Sequence, residues 1–125
     1  MITLMAAITR QTNRRLEVLY SAMVRRAHRH GKLIRFHFYE YRDKAHKALI
    51  VGLCPYCFKE LDTSNISGDH VDPISWGGSW DLDNVEFCCL PCNIKKSDKP
   101  LRHFLNPPKP MDMSEAKRLI AIRGW

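Results

Sequence analysis

Residues 54–96 read CPYCFKELDTSNISGDHVDPISWGGSWDLDNVEFCCLPCNIKK, and two features of that stretch decide the fold. One is a repeated C-x-x-C, Cys54 with Cys57 and then Cys89 with Cys92. The other is the turn chemistry between the pairs: Asp62 to Asn65, Gly68, Pro73, Gly77-Gly78 and Asp81 to Asn84. Only Ile66–Val71 and Val85–Cys88 remain as short strand candidates, and Pro91 suits the first turn of a helix that follows them. The predicted order is knuckle, strand, loop, strand, helix.

Two C-x-x-C turns can converge four thiolates on one tetrahedral cation, which leaves no open position on the metal. The expected role of Cys54, Cys57, Cys89 and Cys92 is therefore a structural Zn²⁺ site, whose binding energy supplements a small core. Cys88 would need a different spacing to Cys92, and it reads as a small buried residue of the second strand. A pair of disulfides, or five unrelated core thiols, is the alternative, disfavoured by the repeated spacing.

Working outward, Leu16, Leu19, Met23 and Ala27 recur at helical spacing among Arg14, Arg15, Arg25, Arg26 and Arg29. This predicts a basic amphipathic helix capped at Thr12 or Asn13 and ended by Gly31. Residues 33–51 carry two signals. The first half alternates like a strand, whereas Phe36, Tyr39, Asp43 and Lys47 with Ala45, Ala48 and Leu49 suit a helix, which is the expectation adopted. Gly52 breaks the pattern. Toward the other end, Asn106-Pro107-Pro108 is a stop, and Asp112 with Glu115 resembles a capping box for a helix over Met113–Ile122. Three regions follow: a basic helical segment 1–52, a core 53–105 and a C-terminal helix in 106–125.

The chain has 125 residues and a formal net charge of +7, so one modest domain with a polyanionic partner is expected. The charge is unevenly placed. Residues 1–50 hold 11 Lys/Arg against 3 Asp/Glu, residues 51–93 one against 7, and residues 94–125 8 against 3. An acidic centre between basic flanks suits cation binding within a phosphate-binding surface. No apolar run approaches the ~20 residues of a membrane span. The opening MITLMAAITR lacks a basic stretch ahead of its short apolar run, so the expected compartment is cytoplasmic, where thiols stay reduced.

Asp69-His70-Val71-Asp72-Pro73, Gly77-Gly78, Asn84-Val85 and Cys89 to Cys92 with Asn93 and Lys96 together resemble the HNH endonucleases, over about residues 53–100. The resemblance implies an α+β, ββα-metal (treble-clef-like) core with flanking helices and a metal-dependent DNA endonuclease activity. It implies His70 as general base, a role an imidazole can fill near neutral pH. Asp69 and Asn93 supply hard oxygen ligands for a catalytic Mg²⁺ or Mn²⁺. Asn84 is expected to help hold the base histidine, and Lys96, one turn beyond Asn93, to contact a phosphate. The third motif position is usually histidine, and here it is Asn93, which tilts the ion toward Mg²⁺ or Mn²⁺ rather than a softer metal.

Asp69 and His70 are adjacent, so on a regular strand they point to opposite faces; for both to reach one phosphate the strand must be irregular or end there. Asp72, Asp81 and Asp83 read as loop formers. His28, His30, His37 and His46 are expected to face solvent or phosphate, and His103 to be structural; Trp76 and Trp80 are expected to pack over the core. The expected partner is DNA, held through the basic flanks, with a homodimer or a phage or mobile-element protein as further partners. The competing functions are a zinc-knuckle DNA-binding module without catalysis and an accessory protein that recruits a complex through residues 12–29.

Overall fold

The computed structural model describes residues 2–106, with side chains from residue 10 onward, so the helix expected over Met113–Ile122 lies outside the described residues. The first helix, α1 (Ile2–Arg29), places Leu16, Met23 and Ala27 in the core. Gly31 at φ 71° ends it, and the Lys32 amide returns to the Ala27 carbonyl at 2.9 Å. The cap expected at Thr12 or Asn13 is not one. The preceding residues are good helix formers, and both side chains find tertiary partners instead. Thr12 Oγ1 lies 2.6 Å from Thr63 Oγ1, and Asn13 Oδ1 lies 3.0 Å from His46 Nε2.

The second helix, α2 (Phe38–Val51), begins five residues later than residues 33–51 led us to expect. Phe36 is buried in an extended segment, stacked at 6.3 Å on Tyr41, and the Tyr20 hydroxyl donates to its carbonyl at 2.9 Å. That side-chain donor satisfies the carbonyl that a helix would otherwise have used. Gly52 ends α2 in the left-handed region, φ 75°.

Strands β1 (Ile66–His70) and β2 (Val85–Cys89) pair antiparallel, with Ile66 opposite Cys89 and His70 opposite Val85. Alternation gives the sheet two faces. Ile66, Gly68 and His70 share one with Val85 and Phe87, and α2 covers it: the Tyr41 ring stands edge-on to Phe87 at 4.8 Å. A Cβ on Gly68 would come within 2.9 Å of the Tyr41 hydroxyl, so only glycine permits this approach. Ser67, Asp69, Glu86 and Cys88 share the other face, against α3 (Leu90–Lys96), which opens with Pro91 in its first turn. A short α4 (Leu101–Leu105) follows.

The architecture is α+β, a ββα unit carrying a cysteine cluster, as expected. One core joins Leu16, Met23, Phe36, Tyr41 and Ala45 to Ile66, Val85 and Phe87. Packing thus runs across the change in sequence character at residue 52. No helix among the described residues is long and apolar enough to cross a membrane.

Candidate active site

The four sulfurs of Cys54, Cys57, Cys89 and Cys92 lie within 4.8 Å of one another, and Cys57 and Cys89 are 3.8 Å apart. A tetrahedron with Zn–S bonds of ~2.3 Å requires sulfur separations of about 3.8 Å, so the cluster is the size that zinc needs. The backbone turns support it: the amides of Tyr56 and Cys89 point at Cys54 Sγ, at 3.4 and 3.5 Å. Burial opposes ionisation of Cys54, yet N–H donors from Cys89, Cys57 and Tyr56 outweigh it and bring the thiol down to about 7. Cys88 stays outside the cluster. It is fully buried, and burial pushes its thiol up to about 12.

Asp69 is buried at the end of β1. Its Oδ2 accepts the Tyr56 hydroxyl at 2.7 Å and lies 3.0 Å from Lys96 Nζ; Oδ1 lies 3.3 Å from the same ammonium. Lys96 also donates to the His70 carbonyl at 2.9 Å and is 0 % exposed. This corrects the phosphate contact expected of Lys96. A side chain with no exposed surface cannot meet the backbone of a nucleic acid, and a buried ammonium needs the carboxylate and carbonyl it has found. Lys96 is a positioning residue, holding β1's last two residues.

His70 projects from the opposite face of β1, and the strand ends there. Asp69 and His70 therefore line one cleft of about 530 Å³, together with Asn93 and Arg26. The imidazole meets the Trp80 ring edge-on at 5.1 Å, and Trp80 in turn lies 5.7 Å from His30. Nε2 of His70 is buried with no hydrogen-bond partner among the described residues. Burial first, then the nearby Arg26 cation, hold this imidazole below its usual range, so it is neutral at pH 7. An unpartnered neutral nitrogen in a cleft is competent to accept a proton.

Asn84 closes the loop between the strands. Its Oδ1 accepts the Asp72 amide at 2.9 Å, while Nδ2 donates to the Asp72 carbonyl at 2.9 Å and to that of Ser79 at 2.8 Å. Its own carbonyl takes the Val71 amide at 2.9 Å. These bonds clasp the chain immediately beyond His70. Gly78 makes the clasp feasible, since a Cβ there would overlap the Asp72 carbonyl.

Asn93, on α3, donates through Nδ2 to Ser67 Oγ at 3.0 Å and to the Gly68 carbonyl at 3.1 Å. Its Oδ1 has no hydrogen bond among the described residues. With Asp69 it offers one carboxylate and one amide oxygen, a hard donor pair suited to a small divalent cation. A carboxylate has about four acceptor positions, so the donors already on Asp69 leave Oδ1 able to take a cation as well. The residues fit such an ion, with a carboxylate whose charge Lys96 already balances.

Tyr56, Arg15 and Arg26 were not singled out from sequence as site residues. Tyr56 stands inside the first C-x-x-C, a signal that was present but pointed only to zinc. Arg15 donates through Nε and Nη2 to the Ile66 carbonyl, at 3.1 and 2.9 Å, and nothing local encodes that. Of the expected surface histidines, His46 is tied to Asn13 and His30 to Trp80; Trp76 is 59 % exposed, with its ring edge-on to His103 at 5.6 Å.

No curated protein and no solved structure matches the chain. Residues 54–108, which carry the four cysteines, Asp69-His70, Asn84 and Asn93, match the sequence model of a family described as HNH endonuclease.

Proposed function

We propose that the protein hydrolyses phosphodiester bonds of DNA, with His70 as the general base. The observation that carries this is the buried, unpartnered Nε2 of His70 in the cleft that Asp69 and Asn93 also line. A water at Nε2 gives its proton to the imidazole as its oxygen bonds to phosphorus, and the bond from phosphorus to the bridging oxygen breaks. Asn84 keeps the base in position by holding the backbone two residues beyond it, and Lys96 does so through the His70 carbonyl. Asp69 and Asn93 would hold a Mg²⁺ or Mn²⁺ ion, which when bound offsets the negative charge that develops on the phosphate. The zinc cluster stands apart from this chemistry as a staple.

The basic flanks support DNA as the substrate. Arg25, Arg29 and Lys32 are exposed along the end of α1 and the chain that follows it, outside the acidic centre. Phosphate contacts of this kind release counterions, so affinity falls steeply with salt.

The test is nicking of supercoiled plasmid by the zinc-loaded chain with Mg²⁺ or Mn²⁺, wild type beside His70→Ala. Conversion to open circle by wild type, and its loss by at least ~10²-fold in the variant, is the expected outcome. DNA binding without cleavage by wild type in every divalent ion would instead make the protein a zinc-knuckle binding module.

A further inference from the structure

Arg26 reaches the cleft from outside the matched segment. Residues 54–108 carry the family pattern, and Arg26 belongs to α1. Its position follows from a register between helix and strand. Arg15 anchors α1 at the start of β1 by its bonds to the Ile66 carbonyl. Leu19 and Arg26 lie four and eleven residues further on, spacings that return to the same helix face. Eleven residues of helix rise about 16 Å. The span from Ile66 to His70 is about 13 Å of strand. Helix and strand thus advance together, and Arg26 arrives beside His70 as that residue ends the strand. Both Leu19 and Arg26 line the cleft with Asp69, His70 and Asn93.

The charge is uncommitted. Arg26 is exposed and makes no salt bridge among the described residues. The acidic groups lining the same cleft are Asp69, already matched by Lys96, and the exposed Asp98. A guanidinium left free beside a proton acceptor suits an incoming anion with paired oxygens, because its fork makes two parallel bonds that an ammonium cannot reproduce.

We infer that Arg26 binds the non-bridging oxygens of the phosphodiester seated over Asp69, His70 and Asn93, so that α1 completes the active cleft. The inference rests on the nuclease function proposed above and adds a residue to it. In consequence, the segment before residue 54 takes part in the reaction itself as well as in holding DNA.

The experiment compares wild type with Arg26→Ala, Arg26→Lys and Glu17→Ala, all zinc-loaded, on supercoiled plasmid with Mn²⁺. Melting temperature is measured for each, and duplex affinity in a His70→Ala background. Arg26→Ala is expected to lower the nicking rate at saturating DNA by ~10²-fold, the effect of removing one donor to a developing oxyanion. Its melting temperature stays at the wild-type value because the side chain is exposed. Arg26→Lys recovers only part of the rate, and Glu17→Ala, at an exposed position of the same helix, keeps the wild-type rate. Wild-type nicking at saturating DNA by Arg26→Ala would overturn the assignment of Arg26 and leave the nuclease function standing. A wild type inert in every divalent ion would overturn both.

Discussion

Tyr56, inside the first cysteine knuckle, donates its hydroxyl to Oδ2 of Asp69 across 2.7 Å, and both residues are buried. The bond joins the zinc turn to the carboxylate proposed for the catalytic cation. Tyr56→Phe keeps the ring and removes the donor. Expected are unchanged zinc content, a stability loss of about 2 kcal/mol for a hydrogen bond to a charged group, and a nicking rate lowered by ~10-fold. Zinc assay, thermal melting and plasmid nicking check the three. An unchanged rate would mean that Lys96 alone fixes Asp69.

The two kinds of cysteine should separate cleanly. Cys92→Ser removes a ligand from the four-sulfur cluster, and Cys88→Ala removes a buried thiol that is not part of it. Cys92→Ser is expected to lose its zinc and its cooperative melting transition, because ligand binding and folding are one free energy in such sites. Cys88→Ala is expected to retain one zinc per chain and lose about 1 kcal/mol, as for a small core truncation. Metal content and calorimetry distinguish them. A zinc-free but fully folded Cys92→Ser would refute the structural role.

Lys96 and Asp69 form a pair with 0 % and 5 % side-chain exposure. Lys96→Met leaves the carboxylate buried and unmatched, a loss of roughly 3–5 kcal/mol. A divalent cation restores the missing charge, so Mn²⁺ should raise the melting temperature of this variant more than that of wild type. Equal Mn²⁺ shifts would show that Asp69 does not meet the ion.

Gly78 and Asn84 act together at the loop. Gly78→Ala forces the Asp72 carbonyl away and opens the clasp, and Asn84→Ala removes the clasp itself. Both variants should keep their zinc while the loop after His70 loosens, with amide exchange faster at Asp72 and nicking slowed by ~10-fold or more. Retained protection at Asp72 in Asn84→Ala would contradict the role given to its side chain.

Asp62 orders the turn between the first knuckle and β1. Its Oδ1 accepts the Ser64 hydroxyl at 2.6 Å and the amides of Ser64 and Asn65 at 2.9 and 3.1 Å. The Ser64 hydroxyl bond first, helped by those amides, outweighs the opposing effect of burial and holds the carboxyl below its ordinary value. A carboxyl depressed in the folded state stabilises above its unfolded value, about pH 4, and loses that contribution as pH falls through the folded one. Asp62→Ala should therefore melt lower than wild type at pH 7, and the gap should narrow in acid. A gap constant from pH 7 to pH 3 would rule out a charge-dependent contribution.

Much of the site was legible in the chain because its grammar is local. A C-x-x-C turn brings its own thiolates together, and turn residues bound the strands, so the four-cysteine cluster, β1, β2 and the start of α3 followed from spacing alone. Asp69, His70, Asn84 and Asn93 were expected as site residues through the resemblance, and the geometry brings Asp69, His70 and Asn93 to one cleft with Asn84 in the loop beyond. What local pattern could not determine was direction and company. Helical spacing put Lys96 on Asn93's side of α3, but only the packed sheet turned its ammonium inward to Asp69. The continuation of α1 through Thr12 depended on a partner at Thr63, and the late start of α2 on the Tyr20 hydroxyl. Tyr56 reached Asp69, and Arg26 reached the cleft that His70 lines, only where distant segments pack together. Such contacts have no period in the sequence; they exist once burial has set two elements side by side.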